Sequence, residues 1–209
     1  MKQGFTLAEV LITLGIIGVV VAITMPTLIQ RFREKETVSK LQKAYSAISQ
    51  AYEYALAENG TPDNWGLVSF SQNDETDEKN ILYHLKPYLK LTEYCGTKQF
   101  ACWNNTKSVT GVTFSHSSAK YYSKAILSDG TAILSLVSDT TCTSGSSGIK
   151  NICGVIRVDL NGKKPPNIMG RDVFSFHVTK NKIIPTGTSL ETKTSNSSFE
   201  NGCVGEAEG

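Results

Sequence analysis

The sequence predicts an α+β protein: one long N-terminal helix, apolar in its first half and amphipathic in its second, packed on a head built around an antiparallel β-sheet. Three observations predict it. Residues 5–25 form an almost uncharged apolar run. Val38, Leu41, Tyr45, Ile48, Tyr52 and Ala55 then recur at spacings of three and four, which places them on one face of a helix. Beyond residue 90, short apolar segments separated by turn signals follow one another, the order expected of an antiparallel sheet.

Composition removes several classes. The chain has 209 residues, 40% hydrophobic and 19% charged, with a formal net charge of +2. A disordered chain would be poor in apolar residues and strongly charged. A collagen-like chain would show a glycine triplet period, and none is visible. A nucleic-acid binder would carry a clustered excess of Lys and Arg, and the part after residue 62 is nearly neutral.

The apolar run reads FTLAEVLITLGIIGVVVAITM. At about 21 residues it is long enough to span a ~30 Å hydrocarbon core. A cleavable secretory signal needs only ~7–15 apolar residues and a small-residue exit. Here the run is too long and the exit, VAITMPTLIQRF, offers no such site. A buried core helix rarely has ~18 or more nearly uncharged residues. A retained membrane span fits the length. Its one charge, Glu9, fits none of these readings. A carboxylate at the centre of a membrane helix costs ~2.5–3.5 kcal/mol and calls for a partner. The nearest cation in sequence is Lys2. Cleavage near Gly4 would create an α-amino cation a little over one turn before Glu9, and such a partner in another subunit would make Glu9 an assembly device.

Residues 2–9, KQGFTLAE, carry a resemblance. A basic residue, then Gly, Phe, Thr, Leu and a Glu five residues after the Gly, before a long apolar run, resembles the class III signal of type IV pilins and type II secretion pseudopilins. The resemblance implies cleavage by a prepilin peptidase between Gly4 and Phe5 and N-methylation of Phe5. It implies that Glu9 neutralises the N-terminal amine of a neighbouring subunit. Gly18 and Pro26 match family positions where the helix loosens or bends. It also implies the pilin-like plan of a long helix on an antiparallel sheet.

The expected organisation is a leader (1–4), a transmembrane and filament-core helix (5–25), an amphipathic stem helix (26–60) and an α+β head with an irregular tail (63–209). Pro26 lacks a backbone donor and should kink or loosen the helix. Asn59-Gly60-Thr61-Pro62 is a helix stop. A helix from Phe5 to Glu58 would be ~80 Å long, and its stripe should be the core face of the head. In the head, Asp77–Leu91 has helical spacing with a break near Pro87. Strands are expected at 111–115, 121–128, 131–137, 153–160 and 173–179, with a short one at 183–184. Asp129-Gly130 is the hairpin signal between two of them.

All five cysteines lie at or beyond Cys95. Short local loops are the easiest to close, so Cys95–Cys102 and Cys142–Cys153 are the expected pairs, with Cys203 left over; five free thiols are the alternative. Disulfides would place the head outside the cytoplasm. No Cys/His spacing matches a zinc site, so no metal is expected. Asp159, Asn161, Asn167 and Asp172 offer oxygens that Ca²⁺ accepts, but the spacing is not an EF-hand and a turn held by side chains is the preferred reading. The stretch from Asp159, DLNGKKPPNIMGRDVF, resembles segments in pseudopilin-like heads. Enzyme motifs are lacking: no G-x-S-x-G, H-E-x-x-H or phosphate loop, and Ser117-x-x-Lys120 lacks its companion elements. His84, His116 and His177 read as packing residues, as do Trp103, Tyr121 and Tyr122. No cofactor and no nucleic acid are expected.

The sequence therefore reads as a non-enzymatic subunit of a pseudopilus, with type II secretion favoured by the Asp159 segment. The rivals are a type IV (minor) pilin and a single-pass anchored extracytoplasmic protein. Expected partners are identical or related subunits, the prepilin peptidase and methyltransferase, the inner-membrane assembly platform and, before assembly, the bilayer. The expected location is the bacterial inner membrane, N-terminus inside and head outside, then a periplasmic or surface filament.

Overall fold

A computed structural model describes residues 6–146 and 148–187. The chain divides between Lys40 and Leu41 into two units. Helix α1 (Leu7–Asn59) contributes to both.

In the first unit every described residue up to Glu36 is exposed. This part of α1 is long and apolar enough to cross a membrane. Its polar atoms are satisfied locally: the Thr13, Thr24 and Thr37 hydroxyls donate to the carbonyls of Glu9, Val20 and Arg33 four residues back, each at 2.9 Å. That satisfies a side chain's hydrogen bonding within its own helix, as an apolar solvent requires. Pro26 lies inside α1, and the helix continues through it without a break. Past the apolar stretch, polar partners sit one turn apart, as in the Glu36–Lys40 ion pair at 2.9 Å.

In the second unit, α1 buries Ala44, Ile48, Ala51, Tyr52 and Ala55. The heptad-like spacing of the stripe is thus read out as a core face, with small Ala residues letting the helix approach the sheet. The Tyr52 hydroxyl donates to Thr179 O (2.6 Å) and that of Tyr45 to Ile183 O (3.2 Å), so the ring bodies stay apolar while their tips meet backbone. Gly60 ends the helix at φ 73°, a left-handed position that favours glycine. Trp65 then folds back and donates from Nε1 to Gly60 O (2.9 Å).

The sheet contains β1 (Leu91–Gly96), β4 (Ser123–Leu127), β5 (Ala132–Val137), β6 (Ser144–Ser146), β7 (Ile149–Asp159), β8 (Val173–Thr179) and β9 (Ile183–Pro185). Their order is β1-β4-β5-β7-β8-β9, with β6 also on β7, and every pairing is antiparallel. A separate small ribbon pairs β2 (Thr106–Lys107) with β3 (Thr113–Phe114). The expected α+β plan, a long helix and an antiparallel sheet, is the plan observed.

The helix expected over Asp77–Leu91 is much shorter. A 3₁₀ turn (Asp77–Lys79) leads to α2 (Ile81–Leu85), capped by the Asn80 side chain on Leu82 N (3.4 Å). A second 3₁₀ turn at Lys86–Tyr88 contains Pro87, and Leu91 already belongs to β1. Asn80 competes as a cap at one end and Pro87 stops the helix at the other.

The sheet is covered on both faces. One face meets α1 and α2 through Ile133, Ile156, Val158, Phe176 and Val178. On the other, Leu134 and Val173 pack with Trp103, Tyr122 and Met169. This second layer comes from an excursion, residues 97–122, that leaves after β1 and returns at β4. Lys124, fully buried, clasps its two ends: Nζ donates to Lys98 O (3.2 Å) and Ala119 O (2.8 Å).

Candidate assembly and processing site

Gly4 and Phe5, where cleavage and methylation are expected, lie outside the described residues, as does Cys203. The first described residue, Thr6, initiates α1. Its backbone N–H and its hydroxyl donate to Glu9 Oε2 at 2.9 and 3.0 Å, while Glu9 N donates back to Thr6 Oγ1 at 3.3 Å. This is a reciprocal capping box, in which Thr and the Glu three residues later satisfy helix-end donors for each other. The T-x-x-E spacing was legible in Thr6-Leu-Ala-Glu9, yet reasoning about the charge alone overlooked it. Capping holds the carboxylate at the helix N-terminus, on the side from which the chain enters. Gly15 and Gly18 follow on α1, and a Cβ at either would meet nothing within 4 Å. Small residues on an exposed apolar helix allow close approach of another helix.

In the head, Cys95–Cys102 closes the base of the excursion and Cys142–Cys153 ties the turn after β5 to β7, with Cα separations of 6.1 and 4.2 Å. In the turn after β5, the Asp139 carboxylate accepts from the backbone N–H groups of Thr141, Thr143 and Ser144 at 2.7–2.9 Å. The Ser144 hydroxyl first, then the Thr141 hydroxyl and the Thr141 and Ser144 N–H groups, hold Asp139 far below the usual carboxylate range against the effect of desolvation. Glu93 lies within 4.8 Å of the two sulfurs of the first pair, but a disulfide has no thiolate to offer a metal.

The segment from Asp159 to Asp172 folds as a turn between β7 and β8. Asp172 accepts from Ile168 N (2.6 Å), Asn167 N (2.8 Å) and Asn161 Nδ2 (3.1 Å). Asp159 accepts from Asn161 N (3.2 Å). The Asn167 amide, in the orientation that satisfies both neighbours, donates to Asp159 Oδ2 (2.9 Å) and Lys164 O (2.8 Å). Both acids are buried; desolvation first, and then the Asp172 charge, push Asp159 up to about 7. The carboxylate oxygens a cation would need are thus engaged by N–H donors, whereas Asn161 Oδ1 is buried without a hydrogen-bond partner.

His84 packs on Trp65, with ring centroids 4.8 Å apart, and His177 lies on β8. His116 is buried in the excursion beside Thr106 and Arg157. Sequence reasoning singled out neither Arg157 nor Lys124. Arg157 alternates with Ile156 and Val158 and so reads as a solvent-facing strand position; only the excursion covers it.

No curated protein and no solved structure matches the chain. Two family models do. The prokaryotic N-terminal methylation motif covers residues 1–25, so the N-terminus carries a type IV pilin-like signal, and with the apolar helix it is consistent with membrane anchoring. The second model spans residues 27–201, nearly all that remains, and the chain therefore belongs to a family of unknown function, DUF6613.

Proposed function

We propose that the protein is a structural subunit of a type II secretion pseudopilus. The observation that carries this reading is the methylation motif running directly into an exposed apolar stretch of α1 whose single charge up to Met25 is Glu9. A prepilin peptidase removes residues 1–4, and the new Phe5 amine is methylated. Before assembly the helix rests in the inner membrane, N-terminus inside. Two disulfides in the head support an extracytoplasmic side for it. On assembly, Glu9 exchanges its Thr6 contacts for the Phe5 amine of a neighbouring subunit. A subunit out of register would leave that charge unpaired in apolar surroundings, which is strongly unfavourable. The helices then form the filament core and the heads its surface. Type II secretion is favoured over a type IV pilus by the D-x-N-G segment at Asp159.

Mass spectrometry of the N-terminus of native protein tests the reading. A chain beginning at methylated Phe5 is expected; mature material retaining Met1 would reduce the protein to a simple membrane anchor. Deleting the gene should deplete secreted proteins from the medium; loss of surface fibres with intact secretion would move the subunit to a type IV pilus.

A further inference from the structure

Arg157 projects from β7 under the excursion, on the same sheet face as Leu134 of β5 and Ser175 of β8, its cross-strand partners. Its Nη1 donates to His116 Nε2 at 2.6 Å. That bond needs a neutral imidazole with its proton on Nδ1, where it meets Thr106 Oγ1 at 2.9 Å. Burial, then the positive charges of Arg157 and Lys124, push His116 down to about 3, so the ring is neutral and brings no counter-charge. The Arg157 Nε is buried and has no hydrogen-bond partner. No Asp or Glu among the described residues forms an ion pair with Arg157 or Lys124. Lys124, on the same face, answers only to backbone carbonyls.

Two cations under one cover, without an acid, is an unfavourable arrangement. A guanidinium cannot shed its proton at any ordinary pH; Arg157 is partly buried, and its enclosed Nε faces neither an acid nor an acceptor, which is unfavourable. Burial pulls the Arg157 pKa down, opposed only by the Tyr122 phenol. Beside this guanidinium lies a cavity of about 30 Å³ lined by Ser108, Phe114, His116, Arg157 and Met169. About 10–15 Å³ holds one water, so the space admits a small ion and excludes a bulky one. The lining supplies a guanidinium fork, the Ser108 hydroxyl, which accepts from Val112 N and shares a hydrogen bond with Thr110, the imidazole of His116, and apolar walls from Phe114 and Met169; the guanidinium is the donor that suits an anion.

We propose that Arg157, with Ser108, binds one small monovalent anion, of chloride or formate size, beneath the 97–122 excursion, while His116 Nε2 holds the guanidinium in place. The anion supplies the missing counter-charge and fastens the excursion to the sheet. The site is independent of the N-terminal signal and stands whether or not the chain assembles into a filament.

The test is thermal unfolding of the full chain in detergent, followed by tryptophan fluorescence. Sodium gluconate is replaced stepwise by sodium chloride or sodium formate at constant ionic strength. The midpoint should rise by a few degrees and saturate, as linkage to a single site requires, and Arg157→Gln should abolish the saturating rise. An unchanged midpoint in the wild type, or an equal rise in the variant, overturns the proposal. If Arg157→Gln does not fold, chloride-35 linewidths of the wild-type protein decide. Excess broadening that formate removes supports the site, and a line no broader than the detergent blank overturns it.

Discussion

Gly154 sits on β7 between Val137 and Val178, where a Cβ would stand 2.2 Å from Leu136 O and 2.7 Å from Ile81 Cδ1. The neighbouring strand's backbone cannot give way, so this glycine is what lets α2 press onto the sheet. Gly154→Ala should cost about 2–4 kcal/mol of stability through overpacking, read as a lower urea midpoint. Two other residues set opposed pH dependences. Asp159 is raised to about 7 from an ordinary 3.8, so the native state binds the extra proton and stability falls as pH rises through that window. His116 is lowered to about 3 from 6.5, so the unfolded chain binds the extra proton and stability rises over pH 3–6.5. His84, also held down by burial, leans the same way as His116. The slopes largely offset in the native protein. Asp159→Asn should unmask the histidine side, with a gain of about 2 kcal/mol between pH 4.5 and 6.5, measured by urea unfolding at both values. A variant as flat as the parent would show that the two groups do not titrate in this way.

At the scale of elements, the excursion over residues 97–122 owes its place to few regular bonds. Its ribbon has two residues per strand, and its ties to the rest of the head include the Cys95–Cys102 bridge, the Lys124 clasp, a parallel bridge between Lys107 and Ile168, and side-chain contacts such as Arg157 to His116, Asn104 to Lys163 O and Lys120 to Glu75. Replacing both Cys95 and Cys102 by Ser should lower stability by about 2–3 kcal/mol on loop-closure grounds. Limited proteolysis should then cut first within 97–122, while the core strands stay protected. The excursion was also the least legible part of the chain. Asp129-Gly130 marks its hairpin openly, and Val173–Thr179 is a strand with the expected bounds, because a turn type and a periodic apolar run are local signals. β6 is Ser-Gly-Ser and β2 is Thr-Lys, too short and too polar to show a period. Their pairing is decided by distant covalent and backbone ties. The same reason hid Arg157: alternation tells which face a residue takes, not whether another segment lies over it.

At the scale of the whole molecule, the N-terminal signal was readable because its elements are contiguous, and the local role of Glu9 was overlooked because its charge invited a distant partner. The capping role and the proposed assembly role separate experimentally. Glu9→Leu should leave membrane insertion intact, since it removes the one carboxylate in the apolar run, and should abolish filament formation on electron micrographs. Thr6→Val removes the capping hydroxyl but keeps the acid, and should still assemble. Normal filaments from Glu9→Leu would remove the ion pair from the assembly mechanism.

The outer rails of the sheet complete the picture. One rail is β1, whose pairing slips register twice in six residues; the other is β9, three residues long and ending in Pro185, which has no amide hydrogen. Neither offers the long, straight ladder of free donors and acceptors on which a foreign strand could dock. In the proposed filament, heads set side by side would touch along these two edges without zippering together.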